Sequence, residues 1–262
     1  MIHSKLKTPI LIVVLSFFLF GFNSKVKLLS PDDILLRSRY ALLNVKSVNY
    51  SCNFMQKFAG GKDTLKTMAN ILLEKKSEDT LLHCNLKLTS QFTFYALTFK
   101  TELFYNGKKN VALNHSRKKV TIDTIGNRGK GKPTMDMLKQ NFPTANLINH
   151  YTEQLPFEPF FKKGAIINTL EETQIGSYTC FKLEITTKDF PENTKRITTL
   201  FIDKQSYLPI KRIDIVGLDN KQQYSDFTLS EIKINNPSIV AQIKPPFIPK
   251  DYSVDYYRLD RY

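Results

Sequence analysis

The run Gly126-Asn127-Arg128-Gly129-Lys130-Gly131-Lys132 has the glycine and lysine spacing of a phosphate-binding loop. Pro133 stands where a Ser or Thr should hold magnesium, and it brings no N–H donor of its own. The preceding Val120–Ile125 belongs to a run of antiparallel strands and not to a βαβ unit, so the segment is expected to be a flexible basic loop. His83, His115 and His150 are scattered and lack partners at metal-ligand spacing. The adjacent acids Glu171 and Glu172 point to opposite faces of an extended chain, which does not suit a paired acid and base. Ser206 and Ser230 lack the strand-to-helix turn of a nucleophile elbow. Cys52, Cys84 and Cys180 contain no Cys-x-x-Cys. One pair could bridge in an oxidising compartment, with the three pairings equally open; buried reduced thiols are the default. These patterns call for no catalysis, metal or cofactor. A binding protein that is not an enzyme is expected.

The elements that would carry such a role are mostly strands. Thr198–Asn236 sets the pattern: Leu200-Phe201-Ile202, a polar turn at Asp203-Lys204-Gln205-Ser206, Tyr207-Leu208-Pro209, a strand from Ile210 to Val216, a turn at Gly217, Asp219 and Asn220, and a return strand from Tyr224 to Ile234. Phe227 and Leu229 share one parity and Ile232 and Ile234 the other, so a bulge is expected within that return strand. Strands are also expected over Val48–Gln56, Leu65–Lys75, Thr80–Thr89, Gln91–Tyr105, Val111–Asn114, Val120–Ile125, Ala165–Glu171 and Ser177–Thr187. Gln91–Tyr105 is the most apolar of them. Its parity switch around Ala96 predicts a bulge in one long, curling strand. Asn106-Gly107 is the strongest hairpin dipeptide of the chain.

Three segments break the pattern. His3, Lys5 and Lys7 precede the apolar run Pro9–Phe22, which is shorter than the ~20 residues that span a bilayer comfortably. Residues 1–24 are therefore expected to be an export signal, with an uncleaved anchor as the alternative, and the remaining roughly 240 residues suffice for one domain or at most two small ones. Ser30-Pro31-Asp32-Asp33 opens an amphipathic helix with Pro at its first position and acids in its first turn. Lys132–Phe161 lacks alternation and reads as short helices over Thr134–Gln140 and Leu147–Leu155, around Pro143. The aromatic loop Pro156–Phe161 follows, and residues 244–262 form an extended Pro- and Tyr-rich tail.

The net charge is +14, and its densest stretch sets Lys108, Lys109, Arg117, Lys118, Lys119, Arg128, Lys130 and Lys132 against the single acid Asp123. An exported chain meets little nucleic acid, so anionic lipid head groups or cell-surface polymers are the expected partners, with Lys118, Lys119, Lys130 and Lys132 as contacts. The alternative is a set of hairpin tips that only keep the domain soluble.

The helix, the long meander, the helical insertion and above all the hairpin Phe201-Ile-Asp-Lys-Gln-Ser-Tyr-Leu-Pro-Ile-Lys-Arg212 resemble the LolA-like superfamily, the periplasmic lipoprotein carriers and related lipid-binding or sensor domains, over Ser30 to Ile243. The resemblance implies an α+β fold, mainly antiparallel β: a strongly curved incomplete β-barrel with helices on its concave side, here over residues 25–243. It also implies an exported, periplasmic location for a non-catalytic carrier or sensor that holds a lipid, acyl chain or lipidated protein on a concave hydrophobic face. Phe92, Phe94, Leu97 and Phe99 from the most apolar run, with Phe157, Phe160 and Phe161 from the aromatic loop, are the expected lining. The alternative is a ligand-free interaction module of the envelope, in which these rings pack on one another as core.

Overall fold

The computed structural model describes residues 29–257 apart from 62, 80–81, 125–147, 149–150, 153–154, 162–164, 188–194 and 219–220. The expected export signal, the basic loop Gly126–Lys132 with Lys130 and Lys132, the helix at Thr134–Gln140 and His150 lie outside these residues.

Turn residues cut the described chain into two meanders. The first comprises β1 (Ser47–Lys57), β2 (Thr64–Lys75), β3 (Cys84–Phe94), β4 (Leu97–Tyr105), β5 (Lys109–Asn114) and β6 (Lys119–Thr124). The second comprises β7 (Ile166–Ile175), β8 (Tyr178–Thr187), β9 (Lys195–Asp203), β10 (Pro209–Leu218) and β11 (Lys221–Ile234). Antiparallel pairing of β1 with β11 joins them into one sheet. A last strand, β12 (Ser253–Tyr257), runs parallel to β6, and the order is β12-β6-β5-β4-β3-β2-β1-β11-β10-β9-β8-β7. The sheet is open, with β12 and β7 at its two ends among the described residues.

Local chemistry explains the turns. Asn106 accepts hydrogen bonds from the N–H groups of Lys108 and Lys109 at 3.1 and 2.8 Å, and Gly107 takes φ +76°, a conformation that costs glycine little. Asp203 accepts from Ser206 N–H at 2.8 Å and from its hydroxyl at 2.6 Å, closing the β9–β10 turn. The phase change in the return strand is a bulge: the β1–β11 register slips between Asn49 and Ser51, opposite Glu231 at φ +55°. The phase change around Ala96 has another cause. Tyr95 and Ala96 both adopt positive φ, 48° and 64°, and form a two-residue hairpin turn between β3 and β4. The expected single curling strand is therefore two strands. A two-residue turn leaves Phe94 directly opposite Leu97, so even positions in β3 share a face with odd positions in β4.

Alternation gives the sheet two distinct faces. On the first, the helix face, Tyr50, Cys52, Ile71, Leu73, Leu86, Leu88, Leu103 and Tyr105 are buried in register across β1 to β4. The helix α1 (Pro31–Asn44) buries Ile34, Leu35, Ser38 and Leu42, spaced for one side of a helix. Lys75 Nζ reaches the Leu42 carbonyl at 2.6 Å, placing a cation at the end of α1 where the helix dipole favours one. Burial pulls this ammonium below its ordinary pKa. Of the second helical insertion segment, Ile148, Tyr151 and Thr152 are helical, and the Tyr151 ring meets Tyr50 at 5.1 Å.

The second face carries the C-terminal segment. Asn236 caps α2 (Pro237–Gln242) by accepting from Ser238 N–H, and α2 contacts β1 and β2. Beyond it the chain is extended, as its prolines predict, but it is not loose. Ile243, Ile248 and Tyr252 pack on a buried cluster of Phe104, Val111, Leu113, Val120 and Ile122. β12 then extends the sheet beside β6. This is the tail face.

Candidate functional site

The β3–β4 hairpin carries the helix face from closed to open. Leu86, Leu88, Leu103 and Tyr105 are buried at its base. Ser90 and Thr101, opposite each other and also buried, satisfy one another through a 2.8 Å hydroxyl contact. Next toward the turn, Phe92 and Phe99 stack across the strands at 4.8 Å, and both are half-buried. Phe94 is half-buried, its ring 6.1 Å from Phe58 and 4.2 Å from Tyr95, while Leu97 is 61% exposed. These four expected lining residues share one face by register. The buried Thr67 hydroxyl, paired by register with Phe92, has no hydrogen-bond partner among the described residues.

The aromatic loop has a different environment. Glu158–Phe161 forms a 3₁₀ turn, entered through Phe157 at φ +63°. Phe157 and Phe160 are buried and stack at 5.9 Å. The Arg212 guanidinium lies over the Phe160 ring at 5.7 Å, and Arg39 of α1 bridges Glu158 at 3.4 Å while covering the more exposed Phe161 ring at 5.2 Å. The seven aromatic and aliphatic residues thus form two groups, one held by Arg39 and Arg212 and one at a hairpin end. Sequence alternation identified the second group; the arginines that hold the first came from distant segments and carried no local signal.

Arg212 is itself held by a carboxylate, Nε to Asp214 Oδ2 at 2.7 Å and a terminal nitrogen to Oδ1 at 3.1 Å, and Thr198 donates to the same Oδ1 at 2.6 Å. Burial pushes the Asp214 carboxyl up, but the Arg212 charge and hydrogen bonds, the Thr198 hydroxyl and the Arg196 charge outweigh it and hold the group below its ordinary pKa. A depressed folded pKa stabilises above the unfolded carboxylate value of ~3.9 and is lost as pH falls through the lower folded value. Asp214→Asn should therefore lower the melting temperature at pH 7, and the gap to the parent should close below about pH 4. A gap unchanged at pH 3 would show that the carboxylate charge is not what holds Arg212.

Lys118 and Lys119, expected as contacts to an anionic surface, bond to acids of the tail: Lys118 to Asp251 at 2.9 Å and Lys119 to Asp255 at 2.6 Å. His115 stands between Tyr252 and Glu102, at 2.8 and 3.0 Å. Glu171 and Glu172 pair separately with Lys182 and Lys204. Cys52, Cys84 and Cys180 are free and buried; burial pushes the Cys52 thiol up to about 12 and Cys180 to about 11. Among the described residues no three His, Cys, Asp or Glu side chains gather to hold a metal. A groove of about 400 Å³ lies on the tail side of the central strands, lined by Asn53, Met55, Met68, Gln91, Thr93 and Asp226, with Asp226 bound to Lys211 at 2.9 Å.

These features define the chain as an open, mainly antiparallel sheet, covered by helical segments on one face and by a strap on the other. No family model and no curated protein matches it. Similar solved structures include an uncharacterized conserved protein from Thermus thermophilus, at 12% identity and TM-score 0.37 over 87% of this chain and 100% of that one. MucB in complex with MucA(peri) is similar at 13% identity and TM-score 0.40, over 83% of this chain and 60% of MucB. A LolA superfamily protein from Nitrosomonas europaea is similar at 11% identity and TM-score 0.30, over 79% and 94%. At these TM-scores the fold description rests on the strand order itself.

Proposed function

We propose that the helix face is the concave side of the sheet, and that this chain is an exported, non-catalytic envelope carrier or sensor that binds a lipid, acyl chain or lipidated protein there. The observation that carries the reading is the unfinished apolar layer along β3 and β4. It is fully buried at Leu86 and Tyr105 and ends in the partly open ring stack Phe92–Phe99, with Phe94 and Leu97 beyond it. Flexible acyl chains suit such a surface because they bury apolar area without demanding polar partners. Export is the role read for residues 1–24, from their basic start and short apolar run.

Native mass spectrometry of protein recovered from the cell envelope should reveal a co-purifying acyl species, and the delipidated protein should take up a fluorescent fatty acid. Phe92→Ser/Phe99→Ser should weaken that uptake at least about tenfold, since each ring buries apolar area worth ~1.5–3 kcal/mol when fully covered. A clean apo mass together with no uptake by the parent would favour the ligand-free interaction module.

A further inference from the structure

We infer that the end of the sheet formed by the end of β1, the start of β2, the β3–β4 turn and the start of β11 is a docking surface for anionic lipid bilayers. Register places these at one end: Lys57 lies opposite Thr64 and Tyr224, Phe94 opposite Leu97, and Leu218 opposite Lys221. Contacts link them side by side. The Lys221 side chain runs beside Gly60, such that a Cβ there would come within 3.0 Å of it, and Phe58 meets Phe94 across the gap between hairpins.

This end exposes apolar side chains that alternation does not require to be exposed. Phe58 is 40%, Leu97 61% and Tyr95 64% accessible. They protrude from two neighbouring hairpin ends, Phe58 after β1 and Tyr95 and Leu97 at the β3–β4 turn. Tyrosine favours the head-group level, where its ring is apolar on one side and its hydroxyl wet on the other. Around them stand exposed Lys57, Lys100 and Lys221. Of the nearby acids among the described residues, Asp63 is bonded to the Tyr95 hydroxyl and Asp226 to Lys211. Positive charge around protruding rings is the complement of an anionic head-group layer. This surface differs from the basic stretch read in the sequence, where Lys118 and Lys119 are already bonded to Asp251 and Asp255. The inference shares Leu97 with the proposed ligand face, but it rests on the exposed side chains and charge of this end and not on whether that face holds a ligand.

The chain contains no Trp, so Tyr95→Trp reports on this surface alone. With vesicles of phosphatidylcholine and phosphatidylglycerol its emission should shift to shorter wavelength, and with phosphatidylcholine alone it should shift little. In that background Phe58→Ser/Leu97→Ser should abolish the shift at low salt as well as high. Lys57→Gln/Lys100→Gln/Lys221→Gln should lower vesicle affinity about a hundredfold and remove most of its salt dependence. Circular dichroism confirms that each variant is folded. No shift on anionic vesicles with folded protein overturns the inference, as does binding that survives the three lysine changes but is lost in Lys118→Gln/Lys119→Gln. Fatty-acid uptake without vesicles is read separately: uptake without vesicle binding leaves the carrier reading standing and removes this one.

Discussion

Replacing Phe160 with alanine should cost about 3–5 kcal/mol of stability, whereas Phe99→Ala should cost less than about 1.5 kcal/mol. Both residues are phenylalanines in stacked pairs, so the difference tests environment and not residue type. Phe160 is 5% exposed, with Phe157 on one side and the Arg212 guanidinium over its ring, and Arg212 is fixed in turn by Asp214. Truncation there leaves a cavity and an arginine without its platform. Phe99 sits on the open end of the β3–β4 hairpin and loses mainly its stack with Phe92. Urea denaturation followed by far-ultraviolet circular dichroism gives both values. Phe160→Leu, which keeps most of the volume, should recover over half of the loss. Equal costs at the two positions would mean that the hairpin end is as tightly packed as the core, and the proposed ligand surface would have to be abandoned.

Ending the chain after Gln242 should be the most damaging change outside the helix face. Ile243, Ile248 and Tyr252 would no longer cover Phe104, Val111, Leu113, Val120 and Ile122, and β6 would lose β12. At ~1.5–3 kcal/mol for each covering side chain, discounted for partial burial, the loss is about 5 kcal/mol, a large share of a domain's net stability. The truncated protein should unfold at a clearly lower temperature and expose apolar surface that binds a hydrophobic dye. A melting temperature within a few degrees of the full chain would show that the strap is dispensable decoration. Tyr252→Phe offers a milder variant, removing only the hydroxyl at His115.

Local features were legible in the sequence where one dipeptide or one period decided them. Asn106-Gly107, the Asp203–Ser206 turn and the Pro31 helix start each carry their own chemistry, and each lies where its residues predict. The parity switch in β11 was rightly a bulge. The equally clear switch at Ala96 was a hairpin, because Tyr95-Ala96 lacks the Asn, Asp or Gly that marks most turns with positive φ. Parity alone cannot tell a slipped register from a reversed chain. What the sequence hid was non-local. The β1–β11 pairing, the parallel β6–β12 pairing, and the ion pairs that Lys118 and Lys119 make with the tail all join residues more than a hundred positions apart. No window of periodicity spans such a distance. The aromatic loop and the aromatic strand looked alike in composition, yet burial separated them because Arg39 and Arg212 close over only the first.

The seam between β1 and β11 bears on the order in which this chain can be assembled. Each meander is built from neighbours in sequence, but the pairing that unites them joins the first strand to the eleventh. A chain emerging from its N-terminus makes β1 early and leaves that strand's outer edge bare until almost all the rest has followed. Long-range closure of this kind slows folding, and a bare edge is a template for another chain. Phe54 and Cys52, buried against Phe227 and Leu229 in the finished sheet, lie along that edge. The strand at the centre of the native sheet is therefore the one most in need of a chaperone's cover while the protein is being made.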